Sequence, residues 1–95
     1  MKPSQLLAQT KVKQGFNDLN SEPNVFCALG AIAHEIGWKG WYKKDGGYRK
    51  RAGDAHNYLQ KIGIDDVMED EIVELNDDKK WTFKKISKWL AERGL

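Results

Sequence analysis

The sequence predicts a mainly α-helical protein: a compact single domain, residues 1–95, of four or five short helices around a central apolar helix at about residues 25–36. Three observations carry this expectation. A chain of 95 residues has room for one core, and buries roughly two-thirds of the surface it exposes when unfolded. With 40% hydrophobic and 32% charged residues, its composition is that of a folded protein rather than a disordered one. Its apolar residues also recur mostly at helical spacing, between Gly, Asn and Pro punctuation.

Taken in order, Pro3 to about Thr10 reads as a short helix, with Pro in the first turn and Leu6 and Leu7 as its anchor. Gly15, Asn17, Asn20 and Pro23 interrupt the next stretch and predict a loop with a brief extended piece. Asn24 stands as the N-cap of the central helix. Val25 to Ile36 is apolar nearly all round, only His34 and Glu35 being polar, so this helix is expected to be buried on every side. Gly37 falls where a helix takes a left-handed residue. Gly30 lies inside it at a cost of up to ~1 kcal/mol in propensity, which predicts a neighbouring backbone packed closely against it.

Trp38 to Gly47 reads as a loop. Tyr48, Ala52, Ala55, Leu59 and Ile62 then form a helical stripe ended by Gly63, with Asp54 as an alternative N-cap. Ile64, Val67, Met68, Ile72 and Leu75 form another, with Asp66 and Glu69 as a capping box. Glu71 to Leu75 also has a reading as a short extended piece. The last helix has Thr82 as N-cap, Trp81 stapled on Ile86, and Gly94 as its end. Its buried face is Phe83, Ile86, Trp89 and Leu90, while Lys84, Lys85, Lys88 and Glu92 face water.

Two pieces occur together: Phe26-Cys27-Ala28-Leu29-Gly30-Ala31, and Leu75-Asn76-Asp77 followed by Trp81-Thr82-Phe83 and Ile86-Ser87-Lys88-Trp89-Leu90. The pairing resembles a group of small uncharacterised bacteriophage and bacterial proteins with a Cys-x-Leu-Gly helix and a Leu-Asn-Asp, Ser/Thr-Phe-x-x-Ile ending. Tyr58-Leu59 to Gly63-Ile64 is similar to their middle segment, so the resemblance covers about residues 21–95. It implies no activity, and the basic aromatic stretch from Trp38 to Arg51 departs from it. Physically the shared residues read as scaffold: Cys27, Leu29 and Gly30 on a packed helix, Asn76 and Asp77 as short polar residues bonding local backbone.

The net charge is only +2, but it is distributed in blocks. Trp38 to Arg51 holds six basic residues against Asp45, Asp65 to Asp78 holds eight acids and no base, and Lys79 to Leu95 holds six bases against Glu92. The first block interleaves cations with rings. Cations bind phosphates and flat rings stack on the bases of single strands. Trp38, Lys39, Trp41, Tyr42, Lys43, Lys44, Arg49, Lys50 and Arg51 are therefore the candidate nucleic-acid-binding residues. The opposing reading is that Trp38, Trp41 and Tyr48 plug the core while the lysines keep the loop in water. The acidic run reads as a solvated face.

A cysteine hydrolase would need Cys27 at a helix start with His34 or His56 as base and Asn57 or Asp54 as orienter. The residues read better as a buried Cys and two surface His. One Cys and two His without ligand spacing give no zinc set, and the acidic run lacks the calcium-loop pattern. No catalytic residue, metal or cofactor is expected. Thr82 to Gly94 is similar to the first helix of a helix-turn-helix, but no recognition helix follows it in this sequence. A lone Cys27 points to a reducing compartment, and Leu6-Leu7-Ala8 is too short for a signal peptide's apolar region. The expected location is the cytoplasm, with no membrane partner. The leading expectation is a small non-enzymatic accessory protein, of phage type, that binds another macromolecule. A nucleic-acid-binding module using residues 38–51 is the alternative, and a Cys/His hydrolase ranks third.

Overall fold

The structure, a computed structural model, describes residues 1–41 and 52–95, and the side chains of 1–41 and 55–95. Its helices are α1 (Pro3–Gln9), α2 (Ala28–Glu35), α3 (Ala52–Lys61), α4 (Asp66–Val73) and α5 (Phe83–Glu92), with a π-helical turn at Glu74–Asp78. Three short strands, β1 (Lys13–Gln14), β2 (Asn20–Glu22) and β3 (Val25–Phe26), make a sheet of order β1-β3-β2. β1 runs parallel to β3, with Lys13 opposite Val25, and β2 runs antiparallel to it with an irregularity between Asn20 and Glu22. The domain is thus mainly helical, with five helices and a small sheet among the described residues. The sequence pattern allows a brief extended piece before Pro23 but does not separate β3 from the central helix or foresee the π-helical turn.

The central helix is shorter than residues 25–36. Val25 and Phe26 belong to β3, and Cys27 is the N-cap of α2. Asn24 cannot be that cap, because a cap residue has extended backbone and Asn24 has φ 65°. It follows Pro23 in the turn between β2 and β3, where a left-handed Asn after Pro is favoured. The Cys27 side chain makes no cap bond. Instead the first helical amide, Ala28 N–H, donates to Asn76 Oδ1 at 3.1 Å, from 48 residues away.

Asn76 is fully buried in the π-helical turn. Its Oδ1 also accepts from Gln14 Nε2 at 2.9 Å, and its Nδ2 donates to Gly15 O at 3.0 Å and to Asp77 Oδ1 at 2.7 Å. Asp77 Oδ1 in turn accepts from Asn17 N–H at 2.9 Å. The polar pair expected to bond local backbone therefore joins β1, the start of α2 and the segment after α4. A buried amide with its donors and acceptors met fixes such a junction firmly.

Gly30 behaves as its position predicts. A Cβ there would collide with the Leu19 carbonyl, lying 2.9 Å from its carbon, so only Gly lets β2's lead-in cross α2. Gly37 ends α2 at φ 118°. Gly37 N–H donates to His34 O at 3.2 Å and Trp38 N–H to Ala33 O at 3.0 Å, the bond pair that folds the second residue after a helix back onto it. Ile64 and Leu95 are placed in the same way after α3 and α5, bonding Leu59 O and Leu90 O.

α4 is capped by Asp65, whose side chain accepts from Met68 N–H at 2.8 Å, one residue before the expected box. Val67 of the expected stripe is exposed, and Glu71 to Val73 are helical rather than extended. α3 begins by Ala52, so Asp54 lies inside it rather than capping it; Tyr48 lies outside the described residues. α5 keeps its expected cap and the centre of its expected buried face: Thr82 Oγ1 accepts from Lys85 N–H at 3.2 Å, and Ile86 and Leu90 are fully buried, while Phe83 and Trp89 are only partly buried. Ser87 Oγ donates to Ser4 O at 2.6 Å, which seats α5 on α1. One cluster, with Leu7, Ile32, Leu59, Ile72, Ile86 and Leu90 fully buried or nearly so, draws on all five helices. Among the described residues, no helix is long and apolar enough to cross a membrane.

Candidate functional site

The thiol comes first, because a nucleophile would define the chemistry. Cys27 is 3% exposed, and burial pushes its pKa up to about 11 against the pull of the Gly30 and Leu29 amides. A helix start ordinarily favours a thiolate, but here desolvation wins and the sulfur stays protonated. Neither imidazole is turned to it as a base. A carbonyl can only accept, so His34 Nδ1 carries the proton it gives Trp38 O at 3.0 Å, and its ring stacks on Phe26 at 4.8 Å. His56 Nδ1 meets Glu69 Oε2 at 2.8 Å, with Asp66 Oδ1 3.7 Å from Nε2.

His56, Asp66 and Glu69 bring three metal-ligating atoms within 4.8 Å of one another, on the surface between α3 and α4. The short His56–Glu69 contact accounts for their approach as a tie between the two helices. The acidic run is therefore more than a solvated face: Asp65 caps, Glu69 ties and Asp77 holds the Asn17 amide.

Of the candidate nucleic-acid-binding residues, Trp38 is 2% exposed and meets Phe26 and Trp41 edge-on at 6.1 and 5.2 Å. It offers no face for stacking, which corrects its place in the set. Trp41 is half-buried; its backbone N–H donates to Asn20 Oδ1 at 3.0 Å and its indole N–H to Asp18 Oδ1 at 3.1 Å. Lys39 is exposed. Tyr42, Lys43, Lys44, Arg49, Lys50 and Arg51 lie outside the described residues.

Cations and rings meet elsewhere. Lys85 Nζ lies 4.1 Å over the Trp81 ring, with Lys79 Nζ at 5.9 Å. Arg93 lies 3.7 Å over Trp89, and Lys80 4.4 Å over Phe16, which is 38% exposed. Each such pair contributes ~0.5–1 kcal/mol at an exposed site, and each shows a ring face open to a charged group. All but Phe16 belong to the basic block from Lys79 to Leu95, which the composition flagged without assigning it a site. The signal that finds them is spacing: Trp81, Lys85, Trp89 and Arg93 recur every four residues.

No family model matches the chain, and comparison with curated proteins and with solved structures brings no significant match either.

Proposed function

We propose that this chain is a small non-enzymatic accessory domain that works by binding an anionic macromolecule. The observation that supports this reading is the disposition of its reactive and charged groups. The sulfur is buried and protonated and both imidazoles are engaged elsewhere, while the lysines of the Lys79–Leu95 block stand exposed beside aromatic rings. Exposed cations in blocks draw polyanions by long-range attraction and by release of counterions. Residues 38–51 enter the reading through their six bases rather than through Trp38.

Titration of fluorescent DNA strands and of fluorescent heparin at low salt tests the proposal. Micromolar or tighter binding that weakens several-fold when the salt is doubled is expected. Absence of binding to every polyanion at tens of micromolar protein would discard it in favour of an uncharged or cationic partner.

A further inference from the structure

We propose that α5 and its two flanks carry a binding track for single-stranded nucleic acid, made by Trp81, Lys85, Trp89 and Arg93. This rests on the anionic-partner reading above and names the partner and the surface. Lys85 and Trp89 are neighbours one turn apart on α5, about 6 Å along its axis. Trp81 stands before the Thr82 cap and Arg93 is the C-cap, so the four residues line the helix from end to end, roughly 15 Å or about four stacked nucleotides. Along it ring and cation alternate. Lys85 covers Trp81 at 4.1 Å, and Arg93 covers Trp89 at 3.7 Å while its Nη1 donates to the Trp89 carbonyl at 3.2 Å.

The ring faces of Trp81 and Trp89 are covered by the exposed side chains of Lys85 and Arg93 rather than by the core, so they are the faces a base would reach once those cations turn to phosphates. On binding, the cation moves from the ring to the adjacent phosphate and the base takes its place. Lys84 and Lys88 are exposed on the same helix, and Lys79 and Lys80 stand at its entry. Glu92 is the single acid between Lys79 and Leu95.

The track's chemistry discriminates among anionic partners. A duplex keeps its bases stacked inside and has no use for flat side chains, whereas a single strand stacks on them. An acidic peptide would use the cations but not the rings between them. An anionic membrane would need an exposed apolar face, yet Ile86 and Leu90 are both 0% exposed.

The test uses the full chain and fluorescent 12-nucleotide oligo-dT, a duplex of equal length and heparin, titrated over a range of salt. Single strand is expected to bind several-fold tighter than duplex. Lys85→Gln with Arg93→Gln, both exposed, should lower the log–log salt slope by about 1.4, the value for two single-strand phosphates. Trp81→Leu should weaken oligo-dT at least about five-fold and heparin little. Lys43→Gln with Lys44→Gln serves as the comparison outside α5. Binding that favours duplex or heparin, or that the Lys85/Arg93 variant leaves unchanged while the Lys43/Lys44 variant abolishes it, overturns the track and leaves the anionic-partner reading intact. No binding to any of the three probes overturns the reading itself. Should Trp81→Leu fail to fold, the charge variant decides.

Discussion

α2 and α5 solve the same problem, a short helix in a small domain, in opposite ways. α2 is buried around its first two turns, receives its first cap from Asn76 far along the chain, and folds Trp38 back onto itself. α5 buries one stripe, carries its own cap in Thr82, and leaves Trp81 and Trp89 half-covered under cations. Both are flanked by tryptophan and lysine, so composition cannot tell them apart. What differs is where the tryptophan stands relative to a helix end. Trp38 is the second residue after a helix closed by Gly37, where two amide bonds fix its backbone. Trp81 precedes a cap, where its N–H donates to Leu75 O at 3.0 Å and its carbonyl accepts from Gln14 Nε2 at 2.7 Å, and Trp89 lies on a helix flank; both rings stay partly exposed.

Four measurements would break or sharpen this contrast. The largest effect belongs to Trp38→Ala, expected to cost ~3–5 kcal/mol in denaturant unfolding, against about 1–2 kcal/mol for Trp81→Ala. Equal costs would erase the difference between the two helices. Asn76→Ala should follow at roughly 2–4 kcal/mol, because it strands the buried Ala28 amide and Gly15 carbonyl; Thr82→Ala, which frees an amide to water, should cost only ~1 kcal/mol.

The thiol at the head of α2 adds a pH signature. Unfolded, Cys27 loses its proton near its ordinary value of about 9; folded, it keeps it until about 11. The unfolded state therefore binds fewer protons across that window, and stability falls as pH rises. The contribution is complete below pH 9 and is lost by pH 11, a total of roughly 2–3 kcal/mol. Stability curves for the wild type and Cys27→Ala should converge or cross in this range, and parallel curves would contradict the buried-thiol account. The smallest effect is Lys85→Gln, expected to change stability by less than ~1 kcal/mol. A larger loss would mean that its pairing with Trp81 belongs to the fold rather than to a binding surface.

α5 was legible because each of its signals is local: Thr82, the Ile86–Leu90 stripe and Gly94 lie within thirteen residues. Gly30 was legible too, since a glycine within an apolar helix has few uses besides close packing. Val25 and Phe26 were not, because an apolar strand running straight into an apolar helix shows no change of period. Asn76 looked local because its partners, Gln14, Gly15 and Ala28, are distant in sequence and near only in the fold. The ring-and-cation pairs along α5 were present in the spacing, but a block reading of charge counts lysines without asking which rings they neighbour.

The reach of Asn76 also bears on how the domain forms and how long it lasts. Its bonds to Ala28, Gly15 and Gln14 close loops of 48, 61 and 62 residues, while the Thr82 cap closes only three. Contacts of high sequence separation come after the chain between them has been gathered, since its lost freedom must be met first. Asn76 is then a lock set after the nucleus, and Asn76→Ala is expected to leave refolding nearly as fast while unfolding takes most of the loss. Stopped-flow rates across a denaturant series would show this as a shift of the unfolding arm alone. A matching slowdown on the refolding arm would instead put the junction of β1, α2 and the π-helical turn among the first structures made.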